Sequence, residues 1–304
     1  MYLKHLLEEG IEVEFATSKS FSQTHISDLE VECKALCNAH NIPYLKNINA
    51  NRTKIVDMAR KTDICIMGGY DKILKAPIIN APKLGVTNTH LSLIPRHRGC
   101  YPIVWAILCD TKAGLTTYVV NSNIDDGILI DQKSTRIRLD DTAKSLYKRV
   151  SAMSVDSFKK NLANILAWSW PKITPSKTSE CYHTAGMPNA RWISWNWRAE
   201  FLIKFSRALT FPPYPGPRTT LENHPGEVEL FIIKKESTIH NDQPGTIIDI
   251  KDNILYVACS NGAVVCKPSQ PKIITNFRRG IVFKSRLGDI HPIPLYYDKF
   301  SLFT

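Results

Sequence analysis

The stretch Lys83-Leu84-Gly85-Val86-Thr87-Asn88-Thr89-His90-Leu91-Ser92-Leu93-Ile94-Pro95-Arg96-His97-Arg98-Gly99 decides how the rest of the chain is read. Lys83–His90 has the β-branched character of a strand, and the Pro, Arg and Gly that follow belong to a loop. Outward from it, Ile64–Met67 reads as a short buried strand and Thr53–Arg60 as a helix. On the other side come a helix over Pro102–Cys109, strands over Leu115–Val120 and Ile128–Ile130, and a long helix over Thr142–Leu166. Strands alternating with helices predict an α/β fold with a largely parallel, Rossmann-like sheet.

In open sheets of this kind ligands gather at the strand C-termini. Asn88 and His90 are two residues apart, so on a strand both side chains point the same way. An amide donor beside a titratable imidazole could stabilise an oxyanion and move a proton. The same spacing suits a strand end whose polar residues merely cap a loop. Further on, Asn123-Ile124-Asp125-Asp126-Gly127 offers a carboxylate that could orient His90, although an ordinary Asp-Asp-Gly turn has the same spelling.

The chain has 304 residues, 43% of them apolar and 22% charged, which excludes a disordered chain, a collagen and a disulfide mini-protein. That length suits two domains. The net charge of +11 predicts anionic ligands. No pair of the eight cysteines has C-x-x-C spacing, so no metal site is expected and free thiols are. No window approaches the ~20 apolar residues of a membrane helix, and the acidic, amphipathic N-terminus is not a secretory signal. A cytoplasmic protein with no membrane partner is expected.

The pattern changes after Trp170. Residues 171–192 are rich in Pro, Ser and Thr and read as a linker. Trp197–Leu209 reads as an amphipathic helix. Short apolar runs follow at Val228–Ile233, Gly245–Ile250, Ile254–Ala258 and Ala263–Cys266, with hairpin turns suggested at Asp252-Asn253 and Asn261-Gly262. These predict a small β-rich, barrel-like domain. The expected domains are therefore 1–170, a linker at 171–192, and 193–304.

Taken together, the string N-x-H-x-S-L-I-P-x-x-R-G beginning at Asn88, Gly114-Leu115-Thr116, and Ile124-Asp125-Asp126-Gly127 resemble the folate-dependent formyltransferase family. That family includes the methionyl-tRNA, glycinamide ribonucleotide and sugar N-formyltransferases. The resemblance covers about residues 1–170. Gly68-Gly69-Tyr70 with Ile73-Leu74 looks like the folate-side loop, and Pro212-Pro213-Tyr214-Pro215-Gly216 like the approach to the C-terminal domain of the tRNA and sugar enzymes.

The resemblance implies transfer of a formyl group from N10-formyltetrahydrofolate to a primary amine, without a metal. It assigns Asn88 to the oxyanion, His90 to polarising the formyl oxygen or shuttling a proton, and Asp125 to orienting His90 and assisting proton transfer. Met67, Gly68, Gly69 and Tyr70, with Asn121 and Asn123, would receive the cofactor; Ser92, Arg98 and Tyr118 would stand on the acceptor side. Three departures are visible. The family's first strand, central in its sheet, is not represented ahead of the first helix. Tyr118 stands where several sugar enzymes carry a His. Thr17–Leu29 is Ser-rich and lacks the basic sequence that the tRNA enzymes place there.

That last departure favours an amino sugar on a nucleotide as acceptor. The alternative is initiator methionyl-tRNA, met through Lys267, Lys272, Arg278, Arg279, Lys284 and Arg286, a run without acidic residues. A second alternative is an inactive binding protein of the same fold. The resemblance also allows a homodimer. Trp192, Trp195 and Trp197 are expected to pack the linker against the first domain rather than stack a base, and His97 to be structural or exposed.

Overall fold

The computed structural model describes residues 2–18, 28–46, 48–70, 72–175, 182–183, 186–212, 214–221, 226–236 and 241–286. Contacts divide the chain into two compact units that are each discontinuous in sequence. One comprises Met1–Arg98, Gly114–Thr135 and Arg149–Cys181; the other Gly99–Ala113, Arg136–Lys148 and Tyr182–Thr304. Segments 99–113 and 136–148, which the sequence reading places in the first domain, are thus grouped with the second.

The first unit begins with α1 (Tyr2–Glu8), β1 (Ala16–Ser18), α2 (Asp28–Ala39), β2 (Tyr44–Lys46), α3 (Thr53–Ala59), β3 (Ile64–Gly68), α4 (Ala76–Ile79) and β4 (Gly85–His90). After β5 (Arg98–Gly99) and α5 (Pro102–Leu108) come β6 (Ala113–Val119), β7 (Ile128–Thr135) and α6 (Ala143–Leu166). Gly10, at φ +69°, ends the first helix in the left-handed conformation that glycine adopts without penalty.

The main sheet has the order β3-β4-β6-β7. β3 and β4 are parallel, from Ile64 beside Gly85 to Gly68 beside Thr89. β6 runs antiparallel to β4, so the alternating parallel pattern breaks there. Strand spelling sets which residues face water or core and says little about direction. β1 and β2 pair in parallel as a separate two-stranded sheet.

α1 packs toward both sheets. Leu3 clusters with Cys33 and Cys37 of α2. Tyr2 and Leu6 join Ile64, Ile66, Phe158, Leu162 and Ile165. The Tyr2 ring stacks on Phe158 at 4.2 Å and crowds β3 so closely that a Cβ on Gly68 would lie 2.9 Å from it.

The second unit includes α5, whose residues Ile103 through Leu108 are all buried. A helix apolar on every side belongs inside a core, and α5 packs against α7 (Ala199–Ala208). β8 (Tyr182–His183) precedes α7. An antiparallel sheet then forms from β9 (Arg218–Leu221), β10 (Glu227–Glu236), β11 (Ile247–Lys251), β12 (Ile254–Cys259), β13 (Gly262–Pro268) and β14 (Phe283–Lys284), in the order β11-β12-β13-β10-β9-β14. Asp252 and Asn253 form the two-residue hairpin turn, both at positive φ, as the primed turns require.

The barrel-like expectation has a specific basis in this sheet. Ile247 N–H donates to the Ile281 carbonyl and Phe283 N–H to that of Gly245, each at 2.8 Å, so the two ends of the sheet meet. Gly245 permits this approach: a Cβ there would stand 2.3 Å from the Phe283 carbonyl oxygen. Leu230, Leu255, Val257, Val264 and Cys266 fill the interior.

Trp192, Trp195 and Trp197 belong to this second unit's own packing. Trp195 stacks on Phe283, Trp197 meets Phe201 and Phe205 edge-on, and Arg218 and Arg286 lie 4.1 and 4.5 Å from the Trp192 ring.

Candidate active site

The C-terminal half of β4 carries the site, and its neighbours are fixed by register. Met67 on β3 stands beside Asn88. On β6, Tyr118 stands opposite Asn88 and Thr116 opposite His90. The alternation of a strand turns Asn88 and His90 to one face and Thr89 to the other, where it hydrogen-bonds Thr117 at 3.0 Å.

Asp125 arrives from the turn between β6 and β7. It has a left-handed φ of +47°, which Asp tolerates better than most residues. Gly127 is required by sterics, since a Cβ there would lie 1.6 Å from the Val119 carbonyl oxygen. The turn is braced internally. The Asp126 carboxylate accepts from Arg98 at 2.5 Å and Asn123 at 3.0 Å, its carbonyl accepts from Asn121, and Asn121 Oδ1 accepts the Asn123 N–H.

The structure brings Asn88, His90 and Asp125 together. His90 Nδ1 lies 3.5 Å from Asp125 Oδ2. His90 Nε2 lies 2.9 Å from the His97 carbonyl oxygen. A carbonyl only accepts, so Nε2 carries a proton and Nδ1 is the nitrogen that addresses the carboxylate. Both ring nitrogens therefore face the protein.

Tyr118 completes the group. Its hydroxyl donates to Asp125 Oδ1 at 2.7 Å and accepts from Asn88 Nδ2 at 2.9 Å. The side chain is 2% exposed. Burial, reinforced by the adjacent carboxylate, pushes its phenol well above the usual range, so it remains O–H.

Behind the site, Thr116 Oγ1 donates to the Ser92 carbonyl at 2.7 Å and accepts the Ile94 N–H at 3.1 Å. Gln132 Nε2 reaches the Ile94 carbonyl at 2.9 Å. These bonds hold the loop whose later residue, His97, supplies the carbonyl to His90. Gly114 admits the close passage of β7: a Cβ there would stand 2.2 Å from the Lys133 carbonyl oxygen.

At the end of β3, Gly69 has φ +88° and open space where a Cβ would be. Tyr70 reaches back to residues 48–50, accepting the Ala50 N–H at 2.8 Å and donating to the Ile48 carbonyl at 3.4 Å. Asn51 accepts from Lys75 N–H and donates to the Ile73 carbonyl, tying the same two loops together. This strand end lies against β4, with Met67 beside Asn88 and Gly68 beside Thr89.

Tyr118, expected on the acceptor side, sits between two members of the central trio. Arg98, expected on the acceptor side, donates from Nη1 to the Asp126 carboxylate. Asn121 and Asn123 spend their hydrogen bonds on the Asp126 turn. His97 is buried at 1% exposure and contributes through its carbonyl. Gln132 and residues 48–51 do not stand out in the sequence. For Gln132 the usable signal is strand alternation with Ile130, and for 48–51 there is none.

Lys267, Lys272, Arg278, Arg279, Lys284 and Arg286 are all exposed in the second unit. Cys33, Cys37, Cys109, Cys259 and Cys266 are buried free thiols. Cys181, Pro213, His224, His240, His291 and most of the Ser-rich segment 17–29 lie outside the described residues. Among the described residues no cluster could hold a metal ion, and no helix is long and apolar enough to cross a membrane.

Comparison with known proteins gives two family matches. The formyl transferase model matches residues 21–161, and the formyl transferase C-terminal domain model matches residues 187–276. The chain is 33% identical over 224 residues to the bifunctional polymyxin resistance protein ArnA of Wigglesworthia glossinidia brevipalpis, covering 72% of this chain but only 33% of that longer protein. It is 27% identical to a methionyl-tRNA formyltransferase of Geotalea daltonii, covering 78% of this chain and 75% of the relative. Among solved structures, an N-formyltransferase from Helicobacter canadensis, complexed with folinic acid and dTDP-3-aminofucose, has the same fold. Its TM-score is 0.63 at 19% identity, over 88% of this chain and 94% of that one.

Proposed function

The chain belongs to the formyl transferase family, and from its strand-end site we propose that it moves a formyl group from N10-formyltetrahydrofolate to the primary amine of a nucleotide-linked amino sugar. The observation that carries this reading is the convergence of Asn88, Asp125 and His90 at one strand end, with Asp125 Oδ2 3.5 Å from His90 Nδ1.

Attack of an amine on a formyl carbon turns a neutral carbonyl oxygen into an oxyanion, so a fixed N–H donor aimed there lowers the barrier. Asn88 has a second Nδ2 proton for that purpose. The amine loses a proton as it attacks, and Asp125 with His90 is the acceptor pair in reach of the same strand end. His90 can polarise the formyl oxygen only by turning Nε2 away from the His97 carbonyl. Its resting contacts favour the proton-handling role. Met67–Tyr70 would take the pterin of the folate.

The nucleotide sugar is favoured by the ligands in the structural relatives' names, here dTDP-3-aminofucose with folinic acid. One observation favours methionyl-tRNA instead: the six exposed cations between Lys267 and Arg286, beside relatives named for that activity. Incubating purified protein with N10-formyltetrahydrofolate and either dTDP-amino sugars or charged initiator tRNA separates them. Formamide on the sugar and none on the tRNA is expected; the reverse selects the tRNA reading.

A further inference from the structure

We propose that Tyr118 is a positioning residue for formyl transfer, the hydroxyl that locks Asn88 and Asp125 into one directed hydrogen-bond chain. The inference rests on the formyl-transfer reading above for its catalytic consequence and on geometry alone for the lock.

A hydroxyl has one proton to give. The Asp125 carboxylate only accepts, so at 2.7 Å it takes that proton. The Tyr118 oxygen must then accept, and the group facing it at 2.9 Å must be the Asn88 N–H side. The amide orientation of Asn88 is thereby determined, whereas an isolated Asn could present either end. A phenol that stays protonated, as burial beside a carboxylate ensures, keeps the direction of the chain constant.

The lock assigns polar atoms on both of its partners. Asp125 Oδ1 belongs to Tyr118, which leaves Oδ2 to His90. One Asn88 N–H belongs to Tyr118, which leaves the other for the oxyanion. Asn88 Oδ1 is then buried with no hydrogen-bond partner among the described residues. A buried acceptor left unpaired is costly, and the N–H of an incoming amine supplies what it lacks. Tyr118 would thus set both the donor that meets the formyl oxygen and the acceptor that meets the nucleophile.

The test is Tyr118→Phe, which keeps the ring and deletes the hydroxyl. Two readouts are taken on the full chain: steady-state formyl transfer, and hydrogen exchange of the Asn88 side-chain amide by NMR. In the variant, kcat falls about 10–100-fold, the loss that misplacement of reacting groups brings, while KM for N10-formyltetrahydrofolate stays within about twofold. The Asn88 Nδ2 protons lose protection by about tenfold or more. An unchanged kcat together with unchanged exchange overturns the proposal. If the unmodified protein transfers formyl to no amine, the functional reading has failed and the exchange alone decides the lock. Protection lost in the variant upholds it, and protection kept refutes it. Should Tyr118→Phe not fold, Asp125→Ala removes the acceptor of the Tyr118 proton altogether. Asn88 protection is expected to drop there too, and its persistence overturns the lock.

Discussion

His90 Nδ1 and Asp125 Oδ2 stand 3.5 Å apart, with both side chains about nine-tenths buried. The ring is held from its far side by the His97 carbonyl at 2.9 Å. The imidazole therefore has a single orientation, set by a turn on one side and a loop on the other.

Loss of any of the three groups removes a distinct part of the chemistry. Asn88→Ala is expected to lower kcat by about 10²–10³-fold, as for an oxyanion donor. His90→Ala and Asp125→Ala should each cost about 10²–10⁴-fold, as for general acid–base groups. Steady-state kinetics with circular dichroism checks both rate and fold. Wild-type turnover in all three variants would sink the assignment.

Gly127 is where the fold makes the site possible. A methyl group placed 1.6 Å from the Val119 carbonyl oxygen forces the Asp125–Gly127 turn outward. Gly127→Ala is expected to cost about 1–3 kcal/mol in stability, the range of overpacking, and to reduce turnover as Asp125 leaves His90. Urea titration gives the first quantity. An unchanged denaturation midpoint contradicts the steric argument.

Stability of the second unit should respond to acid through Glu200. Its carboxylate accepts from Lys235 at 2.8 Å and from Asn261 at 3.1 Å, and the Lys235 hydrogen bond above all holds its pKa at about 2, below the ordinary 4.5. A depressed carboxylate pKa stabilises the folded state above the ordinary value, and that contribution is lost as pH falls from about 4.5 to about 2. The side chain is 56% exposed, so the effect is about 1 kcal/mol or less. Glu200→Gln should be slightly less stable than the parent at neutral pH and equal to it at pH 2. A gap that widens with acid reverses the sign and contradicts the account.

Neutralising the exposed cations tests the acceptor. With a nucleotide sugar as substrate, Arg278→Ala with Arg279→Ala should leave kcat/KM within about twofold, because exposed charges screened by salt contribute little. A tRNA acceptor would instead show weakened binding and a shallower salt dependence in the double variant.

All three central residues are marked by local sequence patterns. Asn88 and His90 stand out as a pair because strand alternation operates within a few residues, and Asp125 is marked by the turn that Gly127 closes. Tyr118 is not legible as their partner: its place opposite Asn88 depends on β6 running antiparallel to β4, and strand direction leaves no mark in either segment. Distant pairing is equally silent for α5, which reads as part of the first domain although its apolar surface packs against α7. Trp192, Trp195 and Trp197 are legible as packing residues from their size and apolar character. Phe201 and Phe205 follow Trp197 at helical spacing, whereas Phe283, Arg218 and Arg286, which meet Trp195 and Trp192, lie at a distance in the chain that no local pattern spans.

The most direct test is to mix the purified chain with N10-formyltetrahydrofolate and a panel of dTDP-amino sugars and follow the sugar by mass spectrometry. The account predicts one sugar gaining a formyl group in step with release of tetrahydrofolate, and no gain with Asp125→Ala. Folate left fully formylated with every sugar, and with charged initiator tRNA as well, would contradict it.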